Sequence, residues 1–221
     1  MTASQRALST GMGNLDNKFA RGGLHPGSVV AVQSPPAALG QVVLYNLSAG
    51  RPTTYVSVGP CDEGTRAHLR EAGGLDPGTL TVEQLPTADP PNAFRALLDG
   101  LELPAGGTVL VEPANLVETT ASHSEYAAVL GMLAEEVAAA GGLAGLLAVE
   151  SDPPPENRWL TLHEADTVLT VLHEVSTRNV HDHLALEKLH PEQALQDDDN
   201  RVFRLPRSLE IDIDTKKNLS P

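Results

Sequence analysis

One cysteine, Cys61, is all the chain holds, and its 221 residues include only three Phe, three Tyr and one Trp. A lone thiol excludes an internal disulfide framework and fits a reducing compartment. Aromatics at 3% beside 41% hydrophobic residues mean that the core is built from Val, Leu and Ala. Lysine is scarce, with only Lys18, Lys188, Lys216 and Lys217. No basic run occurs, and nucleic-acid binding needs clustered cations that release counterions; no direct nucleic-acid ligand is expected. No stretch of about 18 apolar residues occurs either, so no membrane span is expected. The longest candidate, "VAAAGGLAGLLAV", is too short and broken by glycine. "MTASQRALSTG" has no apolar h-region, which argues against a signal peptide. The expectation is a soluble cytoplasmic protein.

What is abundant is negative charge, 29 acidic against 15 basic residues for a net charge of −14. Such self-repulsion opposes the compact state. It largely vanishes where the Debye length shrinks to about 3 Å, near 1 M salt. Many carboxylates with few lysines therefore suit the cytoplasm of a halophile; the plainer alternative is an ordinary acidic protein.

Apolar runs alternate with helical patterns, the signature of parallel βαβ units. Strands are expected at Ser28–Val32, Thr53–Val58, "TLTVEQL", Gly107–Pro113 and Gly145–Glu150. Helices are expected over "GQVVLYNLSA", Asp62–Gly73, "NAFRALLDGL" and Ser124–Gly141, the last stopped by Gly141. "SDPPPEN" reads as a loop. From "ADTVLTVLHEVS" onward the alternation has period two, through "VHDHLALEKLH" and "NRVFRLPRSLEIDID". These read as antiparallel strands at one edge of the sheet, the first two joined at "STRN". The expected organisation is one α/β domain over 1–214, mostly parallel with antiparallel strands at the C-terminal edge. A lead-in segment covers 1–27, and a tail covers 215–221.

"LSTGMGNLDNKFARGGLHPGSVVAVQSPP" resembles the segment that leads into the first strand of the RecA superfamily, in its archaeal KaiC-like and RadA-like branch. The matching residues are Thr10, Gly11, Leu15, Asp16, Gly22, Gly23, Leu24, Pro26, Gly27 and Ser28. "PTTYVSV", "GTVLVEP" and "GLLAVES" fit the following strands, and the nearest likeness is to short RecA-like proteins of haloarchaea. The resemblance implies a RecA-like P-loop NTPase fold, ATP with magnesium as cofactor, and assembly with copies of itself or with protein partners.

A working P-loop, G-x-x-x-x-G-K-[ST], needs glycines whose N–H groups curl round the phosphates, a lysine on the β- and γ-phosphates, and a hydroxyl on Mg²⁺. Here the corresponding stretch is Ser34, Pro35, Pro36, Ala37, Ala38, Leu39, Gly40, Gln41 and Val42. With Ser34 at the first Gly, Leu39 takes the second, Gly40 the Lys place and Gln41 the Ser/Thr place. Slid by one, Pro35 and Gly40 take the glycines, Gln41 the Lys place and Val42 the Ser/Thr place. Neither register supplies an ammonium or a hydroxyl, and Pro36 removes a backbone donor. Where the family carries paired carboxylates after the second strand, this chain has Gly59 and Pro60. Asp62 and Glu63 follow, and either reach inward or start a helix. The Walker B aspartate place holds Glu112, which either ligates Mg²⁺ through water or pairs with a neighbouring loop or Arg.

The expectation is a non-catalytic relative with no cofactor, acting through protein contacts. The alternatives are a divergent ATPase using Glu112, Asp62 or Glu63, and a sensor of another anion at the helix that follows Ser34. Against that last alternative, Pro35, Pro36 and Leu39 would fill the cradle with carbon. His173, His181 and His183 lie close on strands, "HDH" putting two imidazoles on one strand face, as half a metal site or as solvated edge residues. Lys188 falls where relatives carry a basic residue that reaches a neighbour's nucleotide; without one it reads as a surface charge. Ser57, Cys61 and His68 form no nucleophile–base pair with an orienting third group.

Overall fold

The computed structural model describes residues 6–59, 67, 69, 75–175, 180–190, 193–196 and 201–205. Its strands are β1 (Ser28–Ser34), β2 (Thr53–Val58), β3 (Leu80–Leu85), β4 (Thr108–Glu112), β5 (Leu143–Val149), β6 (Thr167–Val175), β7 (Val180–Lys188) and β8 (Val202–Leu205). They form one sheet in the order β3-β2-β4-β5-β1-β6-β7-β8. β1 through β6 pair in parallel, whereas β6–β7 and β7–β8 are antiparallel. The mostly parallel sheet with an antiparallel C-terminal edge is as the sequence implies. "STRN" lies outside the described residues, as do the stretch from Pro206 onward and all but Ala67 and Leu69 of the expected Asp62–Gly73 helix.

The helices are α1 (Gly13–Asp16), α2 (Gly40–Asn46), α3 (Pro90–Asp99), α4 (Asn115–Thr120), α5 (His123–Ala140) and α6 (Arg158–Glu164). Among the described residues none is long and apolar enough to cross a membrane. Local chemistry explains α5 well. Ser122 and Glu125 form a capping box, and Gly141 closes the helix in the left-handed region at φ 61°. Capping holds the Glu125 carboxyl below its ordinary range, chiefly through the Ser122 hydroxyl. The short helices α4 and α6 have no counterpart in the sequence reading.

Period-two alternation sorts each strand's side chains between two cores. Val30, Val32, Leu110, Leu147, Leu169 and Leu184 join α1 and α2 on one face. Val29, Val56, Val109, Val111 and Leu146 join α3, α5 and α6 on the other. Central β1 is thereby covered on both sides, and its Val29–Val32 run is continuously apolar.

The lead-in segment is knotted around Asp16. The Thr10 amide and hydroxyl both donate to its carboxylate at 2.8 Å, and the Ser9 hydroxyl donates at 2.5 Å. Leu8 and Leu24 exchange backbone hydrogen bonds across the Gly22–Gly23 turn. Arg51 bolts three pieces together, donating to Ser9 O, Leu47 O and Thr108 Oγ1. Burial lowers its pKa to about 10.

Candidate functional site

Parallel strands with helices on both faces place their chemistry beyond the carboxyl ends of the strands. Here the end of β1 runs through residues 35–39 into α2, beside the end of β4. Ser34 is buried and donates its hydroxyl to Pro35 O at 3.0 Å. Pro35 and Val42 are half-buried, and Pro36 and Ala37 are exposed. Ala38 and Leu39 pack against the core cluster that holds α2. The inward packing therefore comes from Ala38 and Leu39, and Pro36 takes no part in it. The Ala38 amide turns back to Pro35 O at 3.1 Å, which spends one of the loop's donors internally.

Gly40 opens α2 in a space with no room for a side chain. A Cβ there would lie 2.4 Å from Ser34 Cβ, 2.5 Å from Ser34 Oγ and 3.1 Å from Leu147 Cδ1. One residue on, Gln41 Nε2 donates to Glu112 Oε1 at the end of β4. The other carboxylate oxygen of Glu112 accepts from the Tyr55 hydroxyl on β2 at 2.9 Å. Tyr45 of α2 meets the Tyr55 ring edge-on, 6.1 Å between centroids. Burial, and then the charge of Glu112, push the Tyr55 phenol far above its ordinary range, so that it keeps its proton and remains a donor. Glu112 is buried and held by two neutral donors, an amide and a phenol.

Next to this site the ends of β4 and β5 are clasped. The Asn115 side chain donates to Val149 O at 2.7 Å and accepts from Val149 N at 2.9 Å. Behind it lies a buried ion pair. Arg158 Nε and Nη2 grip Glu118 at 2.7–3.1 Å, and Thr161 Oγ1 donates to Glu118 Oε1 at 2.5 Å. The Tyr126 hydroxyl lies 2.7 Å from Thr161 Oγ1, and Asn157 donates to Glu118 O and Ala121 O. Tyr55 and this network escaped sequence reading. The one available signal was a hydroxyl-bearing aromatic in the middle of a buried strand, which calls for a partner.

The remaining candidates separate. His181 and His183 share a strand face, but His181 contacts Arg204 at 2.6 Å and His183 lies 3.9 Å from Glu174. His173 pairs with buried Asp182 at 2.6 Å. Among the described residues no group of three or more His, Cys, Asp or Glu could hold a metal ion. Lys188 is half-buried, and its ammonium donates to Leu162 O and His163 O at the carboxyl end of α6, where a cation complements the helix dipole. Gly59 is buried at φ 125°. Pro60, Cys61, Asp62, Glu63 and His68 lie outside the described residues.

Comparison with known proteins agrees on architecture. The structure is similar to a KaiC-like protein from the hyperthermophilic archaeon Pyrococcus horikoshii OT3, with a TM-score of 0.62 and 10% identity. That likeness covers 91% of this chain and 99% of the other. It is also similar to the flagellar accessory protein FlaH from Methanocaldococcus jannaschii, with a TM-score of 0.61 and 11% identity over 80% of this chain and 84% of the other. At such identities the likeness is one of fold. No curated protein matches. The family described as "Family of unknown function (DUF7125)" matches residues 7–219. The chain thus belongs to the DUF7125 family, built on the RecA-like P-loop NTPase fold of its structural neighbours.

Proposed function

We propose that this chain is a non-catalytic RecA-like protein that acts as a regulatory or scaffolding component through contacts with other proteins. The observation that carries this reading is the closure of the loop 34–42 on the chain's own groups. In working relatives of the fold a lysine grips the β- and γ-phosphates, and a Ser/Thr and an acid share Mg²⁺. The groups present here do not fit that cargo. Gly40 offers no amine and its space admits no Cβ, while Gln41 and Tyr55 occupy both oxygens of Glu112. A triphosphate brings about four negative charges, and the loop has no cation to meet them.

Calorimetric titration with ATP and magnesium, in 0.1 M and in molar KCl, tests the reading. No heat of binding is expected up to millimolar nucleotide; micromolar affinity would overturn it in favour of a divergent ATPase. On this reading the acidic balance suits the cytoplasm of a halophile, and the melting temperature is expected to rise with KCl. Light scattering and pull-down in molar KCl report the assembly, and a strict monomer with no partner counts against a scaffold.

A further inference from the structure

We propose that the outer face of the β6–β7–β8 edge is the seat of the chain's own segment Leu209–Ile213, laid across it as an extended strand.

Strand register fixes that face. Leu172 on β6 lies opposite His183 on β7, which lies opposite Arg204 on β8. Two residues along the strands, Thr170, Ala185 and Val202 form the next row. Residues directly opposite one another point to the same side of a sheet, so Leu172 and Val202 share one face. The other face carries Leu169, Val171, Leu184 and Leu205 and is closed by the core. Helix α6 covers the outer face only at its inner margin, where Leu162 and Ala165 pack with Ala31 and Val168. Beyond that margin Leu172 is 40% and Val202 47% exposed, and neither joins a hydrophobic cluster among the described residues.

Thr170, in the same row as Val202, adds a separate observation. Its hydroxyl is buried and has no hydrogen-bond partner. An unpaired buried hydroxyl costs free energy, and the carbonyls of an overlying backbone would accept from it.

The size of the open face selects the occupant. Three strands about 4.8 Å apart and five residues at about 3.4 Å each give on the order of 200 Å². A second copy, or a separate protein, buries about 800 Å² per partner in a stable complex. One extended strand of five residues, about 17 Å long, covers the face. A tethered segment needs no larger contact, because its effective concentration reaches the millimolar range.

The chain supplies such a strand. From the end of β8 at Leu205 it continues through Pro206, Arg207 and Ser208 into "LEIDID", outside the described residues. Pro206 has no N–H with which to prolong the β8 ladder. Three residues span at most about 10 Å, which is also the spacing of two packed β-layers. Leu209, Ile211 and Ile213 then recur at period two, with Glu210, Asp212 and Asp214 between them. An extended backbone gives that pattern one apolar side for Leu172 and Val202 and one acidic side for water.

Disulfide trapping in the full chain is the test. In a Cys61→Ser background, Leu172→Cys is combined in turn with Leu209→Cys, Ile211→Cys, Ile213→Cys, Glu210→Cys or Asp212→Cys. Diamide is added, and it takes up the two thiol hydrogens as the S–S bond forms. At least one apolar position should close an intramolecular disulfide tenfold or more faster than either acidic position. The rate should be independent of protein concentration, in 0.1 M and in molar KCl. Ile211→Ser and Leu172→Ser should each lower the melting temperature by about 2–4 °C, and the two together by little more than one of them. Glu210→Ser should change nothing. Equal rates at apolar and acidic positions mean passing contact of an undocked segment and overturn the proposal. So do disulfide-linked dimers whose yield grows with concentration, since a second copy would then be the occupant. A melting temperature untouched by Ile211→Ser overturns it as well. None of these readouts involves nucleotide, so their failure is distinct from finding ATP in the cleft.

Discussion

Replacing Gly40 with lysine restores on paper the residue that a P-loop most needs, and the structure argues that this change alone fails. The new Cβ would sit 2.4 Å from Ser34 Cβ, about 1 Å inside ordinary van der Waals contact, with Leu147 closing the other side at 3.1 Å. Overpacking of this kind costs about 1–3 kcal/mol. Removing a helical glycine returns at most about 1 kcal/mol. The net loss for Gly40→Lys is therefore up to roughly 3 kcal/mol. For a chain of this size it corresponds to a fall of up to about 12 °C in melting temperature. Ser34→Gly removes the obstructing atoms at the expense of the Ser34–Pro35 hydrogen bond, worth about 1 kcal/mol. The two changes should thus couple: Gly40→Lys is harmful alone and nearly neutral in the Ser34→Gly background. Thermal melts of the four proteins give the coupling energy directly. Calorimetry then asks whether Ser34→Gly, Gly40→Lys and Gln41→Thr together bind Mg-ATP while the unmodified chain does not. If Gly40→Lys alone melts with the unmodified protein and binds ATP, the packing argument is wrong.

Gln41→Glu sets a second carboxylate against Glu112, so it should lower the melting temperature in chelator and recover it with millimolar Mg²⁺ or Mn²⁺. The unmodified protein should be indifferent to both in the same thermal-shift assay. Arg158→Met strands the fully buried Glu118 charge, and such a loss costs about 3–5 kcal/mol. At about 2–4 °C per kcal/mol the melting temperature should drop by roughly 6–20 °C, and adding Glu118→Leu should restore much of it. The Glu125 carboxyl has its pKa lowered by folding, so the stability it adds is complete above the ordinary glutamate range and is lost as pH falls through the lower folded value. Calorimetric melts from pH 6 to 2.5 should show the gap between the unmodified protein and Ser122→Ala narrowing toward acid.

The sheet was legible because its strands are short apolar runs punctuated by Gly and Pro; Thr53–Val58 appears with the expected ends. The antiparallel edge showed in the change to period two after Ala165. The short helices were not legible: "NLVETT" and "RWLTLHE" span less than two turns, too little for a periodic signal. At the site, the absence of lysine and hydroxyl could be read residue by residue. What replaced them could not. Gln41 and Glu112 lie 71 positions apart, and Glu118 and Arg158 lie 40 apart. Such pairings are set by sheet order and not by local pattern. The acceptors of Lys188 could not be read for the same reason, since they are the last carbonyls of a helix that the sequence does not announce.

The amide–carboxylate bond between Gln41 and Glu112 has a consequence in time. A motor that hydrolyses its cargo carries a clock, because each assembly lasts until the product leaves. A bond between two side chains of one protein has nothing to release. On the proposed non-catalytic reading, complexes built on this chain should form and dissolve by mass action alone, with lifetimes set by partner concentration and salt.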